Sequence, residues 1–169
     1  YAGVDPDPTF AHVTEGAEVL RAAGCTAIVA VGGGSSMDAA KIIACTRTSD
    51  DSPDKWVGLN KVPDDVLPIY AIPTTSGTGS EATMGAVIKD PEEKLKHIIV
   101  GEDLLPQAVA LDPDLLLGLP APVTAATGID ALTHGIEAYI CIWDRGTRKE
   151  NGRLAIQGVF RWLERAVQH

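Results

Sequence analysis

The sequence predicts an α/β domain followed by the beginning of an all-α domain. Short apolar runs alternate with helical patterns over the first two-thirds of the chain, and two of these runs end in polar loops that contain glycine. After residue 118 only helical patterns remain. Strands that alternate with helices are typical of a parallel sheet, so we expect one domain over residues 1–118 and a second over residues 119–169.

Composition argues against several classes of protein. The chain has 169 residues, enough for a domain that buries about two-thirds of its unfolded surface. Its net charge of −9 at pH 7 and its lack of a basic stripe argue against nucleic acid and anionic membranes as partners. The three cysteines have no metal-type spacing, and we interpret them as small core residues of a cytoplasmic protein.

The first elements are a helix, a strand and a second helix. Apolar residues recur at helical spacing over residues 8–23, with Thr9 as the expected N-cap and Gly24 as the terminator. The apolar run at residues 27–31 predicts a buried strand of a parallel sheet. Helical spacing returns at residues 37–45.

A polar segment and further short strands follow. Residues 46–63 predict a long surface loop. Residues 67–72 predict the next buried strand, residues 86–88 and 98–100 predict the two strands of a hairpin, and residues 108–111 predict another short strand.

A glycine-rich loop joins the first predicted strand to the second predicted helix. It reads Gly32-Gly33-Gly34-Ser35-Ser36. Glycines allow a sharp turn and a close approach of the backbone to a ligand, and the N-terminus of the following helix suits a pyrophosphate. The loop matches neither common nucleotide-binding fingerprint, so an ordinary glycine turn is the alternative.

A second polar loop follows the strand at residues 67–72. It runs from Thr74 to Ser80 and consists of hydroxyl-bearing residues and glycines. Parallel α/β sheets bind ligands at the carboxyl ends of their strands. Two such loops at two strand ends therefore favour nucleotide binding over a purely structural role.

The helical patterns of the second domain contain a possible metal-binding pair. Residues 122–142 and 154–167 both have helical spacing. Within the first of them, Asp130 and His134 are four residues apart, so both side chains project from one face of the helix. A carboxylate and an imidazole are two ligands for a divalent cation, and the alternative is an aspartate near a helix N-terminus with a histidine on the helix surface.

Three motifs in order resemble the iron-containing (group III) alcohol dehydrogenase family. The motifs are Gly32-Gly33-Gly34-Ser35 with Asp38-Ala39-Ala40-Lys41, the loop from Pro73 to Glu81, and the stretch from Ala126 to His134. The segments at residues 3–9, 111–113 and 118–120 are also similar to that family. The resemblance covers essentially the whole chain. It implies a partial Rossmann-like NAD(P)-binding domain followed by the start of a helical metal-binding domain.

The resemblance also implies an activity and the residues that serve it. The activity is interconversion of alcohols and aldehydes or ketones by hydride transfer, with a divalent metal, Fe²⁺ or else Zn²⁺, as Lewis acid. Asp130 and His134 match the first two metal ligands and are the expected catalytic residues. The residues expected to bind NAD or NADP are Gly33, Gly34, Ser35, Ser36, Asp38, Thr74, Thr75, Thr78 and Lys96. For Lys96, an exposed hairpin position is the alternative.

The resemblance further implies that this chain is an incomplete segment. The family has a strand–helix–strand unit before the glycine loop and two more histidine ligands far downstream. The other histidines here, His12, His97 and His169, match no family motif and are expected at or near the surface. A sheet without its first strands exposes an unpaired edge, so we expect association with other chains as a homo-oligomer, and contact with the missing parts of the protein is the alternative.

Two other roles remain open at this stage. The chain could be an inactive nucleotide-binding fragment or a structural, assembly portion of a larger enzyme. The glycerol dehydrogenase and dehydroquinate synthase branch is disfavoured by the loop at residues 74–81 and by Asp130-Ala131-Leu132-Thr133-His134.

Overall fold

A computed structural model describes residues 1–49, 51–143 and 146–168. These residues confirm the predicted α/β class. The chain forms two compact units, one of Tyr1–Thr74 with Ser80–Asp112 and one of Thr75–Gly79 with Pro113–His169. The helices are α1 (Phe10–Ala23), α2 (Gly34–Cys45), α3 (Ala121–Ile140) and α4 (Arg148–Gln168). The strands are β1 (Ile28–Gly32), β2 (Gly58–Leu59), β3 (Ile69–Pro73), β4 (Gly85–Asp90), β5 (Leu95–Val100) and β6 (Ala108–Val109).

The first unit contains two small sheets. One is wholly parallel, in the order β1-β3-β6, and its register pairs Ile28 with Ile69 and Gly32 with Pro73. The other has the order β2-β5-β4, with β4 and β5 as an antiparallel hairpin. The parallel sheet and the hairpin were both predicted, and the register makes β1 and β3 end at the same level.

The start of α1 confirms the predicted caps. Thr9 Oγ1 accepts a hydrogen bond from the His12 backbone N–H at 3.4 Å, and His12 Nδ1 accepts one from the Thr9 N–H at 3.2 Å. This reciprocal pair satisfies two N–H groups that the first helical turn leaves without helical partners. Gly24 ends the helix with φ of 61°, a left-handed conformation that favours glycine.

Several boundaries differ from the predictions, including the start of β5 at Leu95 rather than residue 98 and the end of α3 at Ile140 rather than residue 142. The segment at residues 46–63 is not a continuous surface loop: Trp56 is 3% exposed within a 3₁₀ turn, and β2 follows. The large apolar surface of the indole outweighs the polar composition of its neighbours. Helix α2 begins at Gly34 rather than residue 37, and helix α4 begins at Arg148 rather than residue 154. The first turn of each helix is polar, so it lacks the periodic apolar residues from which a helix is predicted.

The core of the first unit lies between α1, α2 and the strands. Its members with almost no solvent exposure include Val13, Ile42, Ile69, Ile88 and Ile99. Helix α2 packs against β1, β3 and β4, so its position is set by both sheets. No helix in the described ranges is long and apolar enough to cross a membrane.

The second unit is built on the packing of α3 against α4. A Cβ added at Gly152 would lie 2.7 Å from the carbonyl oxygen of Gly135, and one added at Gly128 would collide with Leu163. Since residue 128 meets residue 163 and residue 135 meets residue 152, the two helices are antiparallel. Glycine at the crossing allows the two backbones to approach closely.

Candidate functional site

The glycine loop presents the N-terminus of α2 at the end of β1. Gly33 is the N-cap, with φ of −83° and no side-chain capping bond. The first helical hydrogen bond runs from Met37 N–H to Gly33 O at 3.2 Å. Helical geometry therefore directs the N–H groups of Gly34, Ser35 and Ser36 out of the helix end. Three such groups and a positive dipole end are suited to a phosphate.

Gly32 has a conformation that only glycine adopts readily. Its φ is +148°, and an added Cβ would lie 2.7 Å from Ser36 Cβ. Gly32 belongs to the predicted motif but was not among the predicted site residues. The structure shows that it shapes the turn from which Gly33 to Ser36 emerge.

Replacing Gly32 with alanine should therefore distort the loop. The Ser36 hydroxyl can rotate away, but the contact with Ser36 Cβ and the backbone strain remain, so we expect the free energy of unfolding to fall by about 1–3 kcal/mol. We also expect the NADH dissociation constant to rise. Urea unfolding and fluorescence titration measure the two effects. Gly24→Ala is the control: it also strains a positive φ of 61°, but it should leave NADH affinity unchanged.

The second loop begins beside the first. The Thr74 N–H donates to Gly32 O at 2.9 Å, so the chain leaves β3 at the level where the glycine loop starts. Thr75 and Thr78 follow within the second unit, where both are half-buried. In that unit a Cβ on Gly77 would lie 2.5 Å from the Thr127 carbonyl oxygen, so the loop passes directly over the backbone of α3.

The Asp38 carboxylate is held within the first unit. Its Oδ1 accepts a hydrogen bond from Ser80 Oγ at 2.7 Å, and its Oδ2 accepts one from the Val87 N–H at 2.9 Å. Burial raises the pKa of Asp38, while these two hydrogen bonds oppose the rise. Asp38 thus ties α2 to β4, and its predicted place near the nicotinamide remains a prediction.

Lys96 lies at the surface but is connected to the glycine loop. Its Nζ is 2.6 Å from Asp7 Oδ1, and the backbone N–H of Asp7 donates to Ser35 Oγ at 3.3 Å. The hydrogen bond from Lys96 holds the pKa of the Asp7 carboxyl below its usual range. A cofactor contact for Lys96 remains a prediction, and the exposed-hairpin alternative describes its position in this structure.

Asp130 and His134 are brought together on α3, as their spacing predicts. Asp130 Oδ1 lies 3.6 Å from His134 Nε2, and both side chains are about half exposed. Two ligands at about 2.1 Å from one tetrahedral ion would be about 3.4 Å apart, so the pair fits a divalent cation as two of its ligands. Glu137 Oε2 lies 3.6 Å from the other ring nitrogen, Nδ1, where it can fix the orientation of the imidazole.

The remaining histidines have other surroundings. His12 belongs to the α1 capping box, and its Nε2 is 4.0 Å from Asp5. His97 lies against Phe10, with Asp90 and Glu93 within 4.0 Å of its Nε2. His169 lies outside the described residues. Neither described histidine is assigned to the proposed metal site.

Sequence reasoning missed the most unusual polar side chain of the first unit. Lys41 has no solvent exposure. Its Nζ is within hydrogen-bonding distance of five oxygens: the carbonyl and hydroxyl oxygens of Ser80 and Thr83, and the Gly85 carbonyl. Burial lowers the pKa of Lys41 to about 8, against the opposing charges of Asp38 and Glu81. The signal in the sequence was a lysine among the apolar residues that follow the polar first turn of α2.

The lowered pKa of Lys41 predicts a pH-dependent stability. Between about pH 8 and the ordinary lysine pKa of 10.5, the unfolded lysine holds a proton that the folded lysine has lost. The free energy of unfolding should therefore rise through this window, by at most about 3 kcal/mol. Urea unfolding at several pH values measures this. The Lys41→Met variant lacks the titrating group, so subtracting its free energies of unfolding, measured at the same pH values, from those of the wild-type protein should isolate the rise. Identical pH dependence of the free energy of unfolding in the variant and the wild-type protein would contradict the prediction.

Comparison with known proteins identifies the family. The family model for iron-containing alcohol dehydrogenase matches residues 1–113. The NAD-dependent methanol dehydrogenase of Bacillus methanolicus is 41% identical over 154 residues, covering 91% of this chain and 40% of that protein. The 1,3-propanediol dehydrogenase of Citrobacter freundii is 44% identical over 140 residues, covering 83% of this chain and 36% of that protein.

Solved structures agree with the fold. The crystal structure of a 1,3-propanediol oxidoreductase matches with a TM-score of 0.94 and 39% identity, over 99% of this chain and 44% of that one. The sulfoacetaldehyde reductase of Bifidobacterium kashiwanohense, solved in complex with NAD⁺, also has a TM-score of 0.94, with 35% identity and coverage of 99% and 45%. The chain thus spans about two-fifths of the length of the relatives that it matches. It belongs to the iron-containing alcohol dehydrogenase family.

Proposed function

We propose that the protein containing this chain is an NAD(P)-dependent oxidoreductase that interconverts alcohols and aldehydes or ketones by hydride transfer. The observation that carries the proposal is the pair of loops: Gly32 and Pro73 are register partners, and a polar loop follows each. Open parallel sheets bind their ligands at this edge. The names of the methanol and 1,3-propanediol dehydrogenase relatives support the substrate class.

The two loops have complementary roles in this proposal. The N–H groups of Gly34, Ser35 and Ser36 bind the pyrophosphate, and Gly33 lets the backbone come close to it. Thr74, Thr75 and Thr78 offer hydroxyl groups to the rest of the cofactor, which Asp38 and Lys96 flank. Holding the nicotinamide in place against the substrate removes much of the entropic barrier to hydride transfer. NAD is the expected cofactor because one relative is named for it and another was solved with it.

Asp130 and His134 would hold the metal. Their oxygen and nitrogen donors suit Fe²⁺ or Zn²⁺, with the other ligands coming from elsewhere in the protein. A bound divalent metal would supply Lewis-acid polarisation of the substrate oxygen. Asp130 contributes the negative charge of the pair. Glu137 lies beside His134 Nδ1, so it favours the tautomer whose Nε2 is free to act as a ligand.

Binding and turnover experiments test this proposal. The protein is stripped with a chelator and reloaded anaerobically with Fe²⁺ or Zn²⁺, and NADH binding is followed by fluorescence. We expect NADH to bind in all forms, and alcohol-dependent reduction of NAD⁺ only in a metal-loaded form. A protein that binds neither NADH nor NADPH would overturn the cofactor assignment.

A second candidate function is nucleotide binding without chemistry. Among the described residues, no group of three ligating side chains within reach of one ion includes Asp130 or His134. This observation favours a segment that binds the cofactor while its metal site stays incomplete, or one that serves a structural role in a larger enzyme. NADH binding without metal uptake or turnover would support it.

The proposal includes a location and an assembly state. We propose a cytoplasmic location from the cysteine pattern and a homo-oligomer from the apolar side chains at the edge of the parallel sheet. Val29 and Val31 on β1 are 60% and 55% exposed. Light scattering measures the assembly state, and a monomer at all concentrations would contradict the oligomer.

A further inference from the structure

We propose that Lys41, together with Ser80, forms a clamp that positions the exit of the second cofactor loop. The inference rests on the proposed function, since it assumes that the loop at residues 74–78 binds the cofactor. Lys41 is a positioning residue here, because it has no solvent exposure and acts through the chain segment that it holds.

The clamp begins with Ser80, the residue that follows the loop. Lys41 Nζ donates to the Ser80 carbonyl oxygen at 2.7 Å and lies 3.0 Å from its hydroxyl oxygen. The same hydroxyl donates to Asp38 Oδ1 at 2.7 Å. Asp38 and Lys41 are three residues apart on α2, so both side chains extend from one face of the helix. Ser80 is thus fixed by backbone and side chain together.

The segment after Ser80 depends on the same ammonium group. Lys41 Nζ lies 2.9 Å from the Thr83 carbonyl oxygen, 3.1 Å from its hydroxyl and 2.8 Å from the Gly85 carbonyl oxygen. Residues 80–82 form only a single 3₁₀ turn, closed by one backbone hydrogen bond from the Thr83 N–H to the Ser80 carbonyl oxygen at 3.2 Å, and no regular helix continues from it. One buried cation replaces the missing regular structure, from the end of the loop to the first residue of β4.

Burying the charge of Lys41 costs desolvation free energy. An apolar side chain of similar size would avoid desolvating a charge, but it would leave the surrounding carbonyl oxygens without this donor. The three N–H donors of an ammonium group instead specify one geometry for several acceptors. Helix α2 carries the glycine loop at its N-terminus and the clamp two turns later. A single rigid element therefore sets both the pyrophosphate site and the exit of the second loop.

Steady-state kinetics of the full, metal-loaded protein test the clamp. Lys41→Met keeps an unbranched side chain, one atom shorter, but removes its donors. We expect the KM for NAD⁺ to rise about 10- to 100-fold, because the loop loses its fixed exit. The kcat at saturating NAD⁺ should change less than about threefold, and the bound metal per chain should not change. Lys55→Met is the matched control, because Lys55 is an exposed lysine of the same unit, paired with Asp51.

The split between KM and kcat separates positioning from a purely structural role. A structural loss would reduce the fraction of active protein, which lowers kcat and leaves KM unchanged, and that outcome would overturn the proposal. If Lys41→Met does not fold, Thr83→Val and Ser80→Ala each remove a hydroxyl that lies against Lys41 Nζ while keeping the carbonyl, and Ser80→Ala also removes the donor to Asp38 Oδ1. Each should raise the KM for NAD⁺ by about two- to tenfold, and an unchanged KM in both would overturn the clamp. Failure of wild-type protein to bind NADH would instead count against the proposed function.

Discussion

Asp130→Ala should abolish metal binding and reduce kcat/KM for alcohol oxidation by about three orders of magnitude or more. The carboxylate is one of two donors on α3 that lie 3.6 Å apart and reach solvent. Removing it leaves only the His134 imidazole of this pair and takes away the negative charge, so we expect that the ligands from elsewhere in the protein no longer suffice to hold a divalent ion. Metal per chain is measured by elemental analysis after anaerobic loading, and activity is measured on the same sample.

A matched variant separates the loss of a ligand from the loss of a charge. Glu164→Ala removes an exposed carboxylate from α4 in the same unit, where Glu164 accepts a hydrogen bond from Gln168. It should keep full metal content and activity. The NADH dissociation constant should be unchanged in both variants, because neither Asp130 nor Glu164 is among the residues proposed to bind the cofactor. Full metal content and activity in Asp130→Ala would remove this residue from the proposed site.

Gly152→Ala should destabilise the helical unit by about 2–3 kcal/mol. The new Cβ would lie 2.7 Å from Gly135 O and 2.9 Å from Tyr139 N. Both are backbone atoms, so the clash can be relieved only by moving one helix away from the other. Since Asp130 and His134 are on the helix that would move, metal affinity should fall together with the thermal midpoint. Calorimetry and metal titration measure the two effects.

The same helix provides the control for this substitution. Gly158 also lies inside α4, but a Cβ added there meets nothing within 4 Å. Gly158→Ala should therefore stabilise the helix by up to about 1 kcal/mol through its higher helical propensity. Equal effects of the two substitutions would mean that the α3–α4 crossing is not tightly packed. A stable Gly152→Ala variant with normal metal affinity would contradict the role of the crossing.

The sequence predicted those parts of the fold that depend on local patterns. Thr9 and Gly24 were correctly predicted as the two ends of α1, because helix capping depends on residues that are close in the sequence. The sequence correctly predicted that a polar loop follows each of β1 and β3, because the apolar run of each strand and the glycines of its loop are adjacent in the sequence. Trp56 was missed because its burial depends on core residues that are distant in the sequence.

In the candidate site too, the local features were predicted from the sequence and the long-range contacts were not. The spacing of Asp130 and His134 was sufficient to place them on one helix face, because the distance between them is fixed by helical geometry alone. The five oxygens around Lys41 come from residues about forty positions away, and no periodicity in the sequence reports that contact. The link from Lys96 through Asp7 to Ser35 is also non-local.

The shared endpoint of β1 and β3 limits how this domain can change during evolution. Side chains alternate between the two faces of a strand, so Tyr70 is half-exposed where Ala71 is buried. Deleting one residue from β3 would turn the tyrosine into the core and shift Thr74 away from Gly32. Natural variation should therefore accumulate as substitutions within the two strands, while insertions and deletions should be found in the loop after α2 and in the hairpin turn.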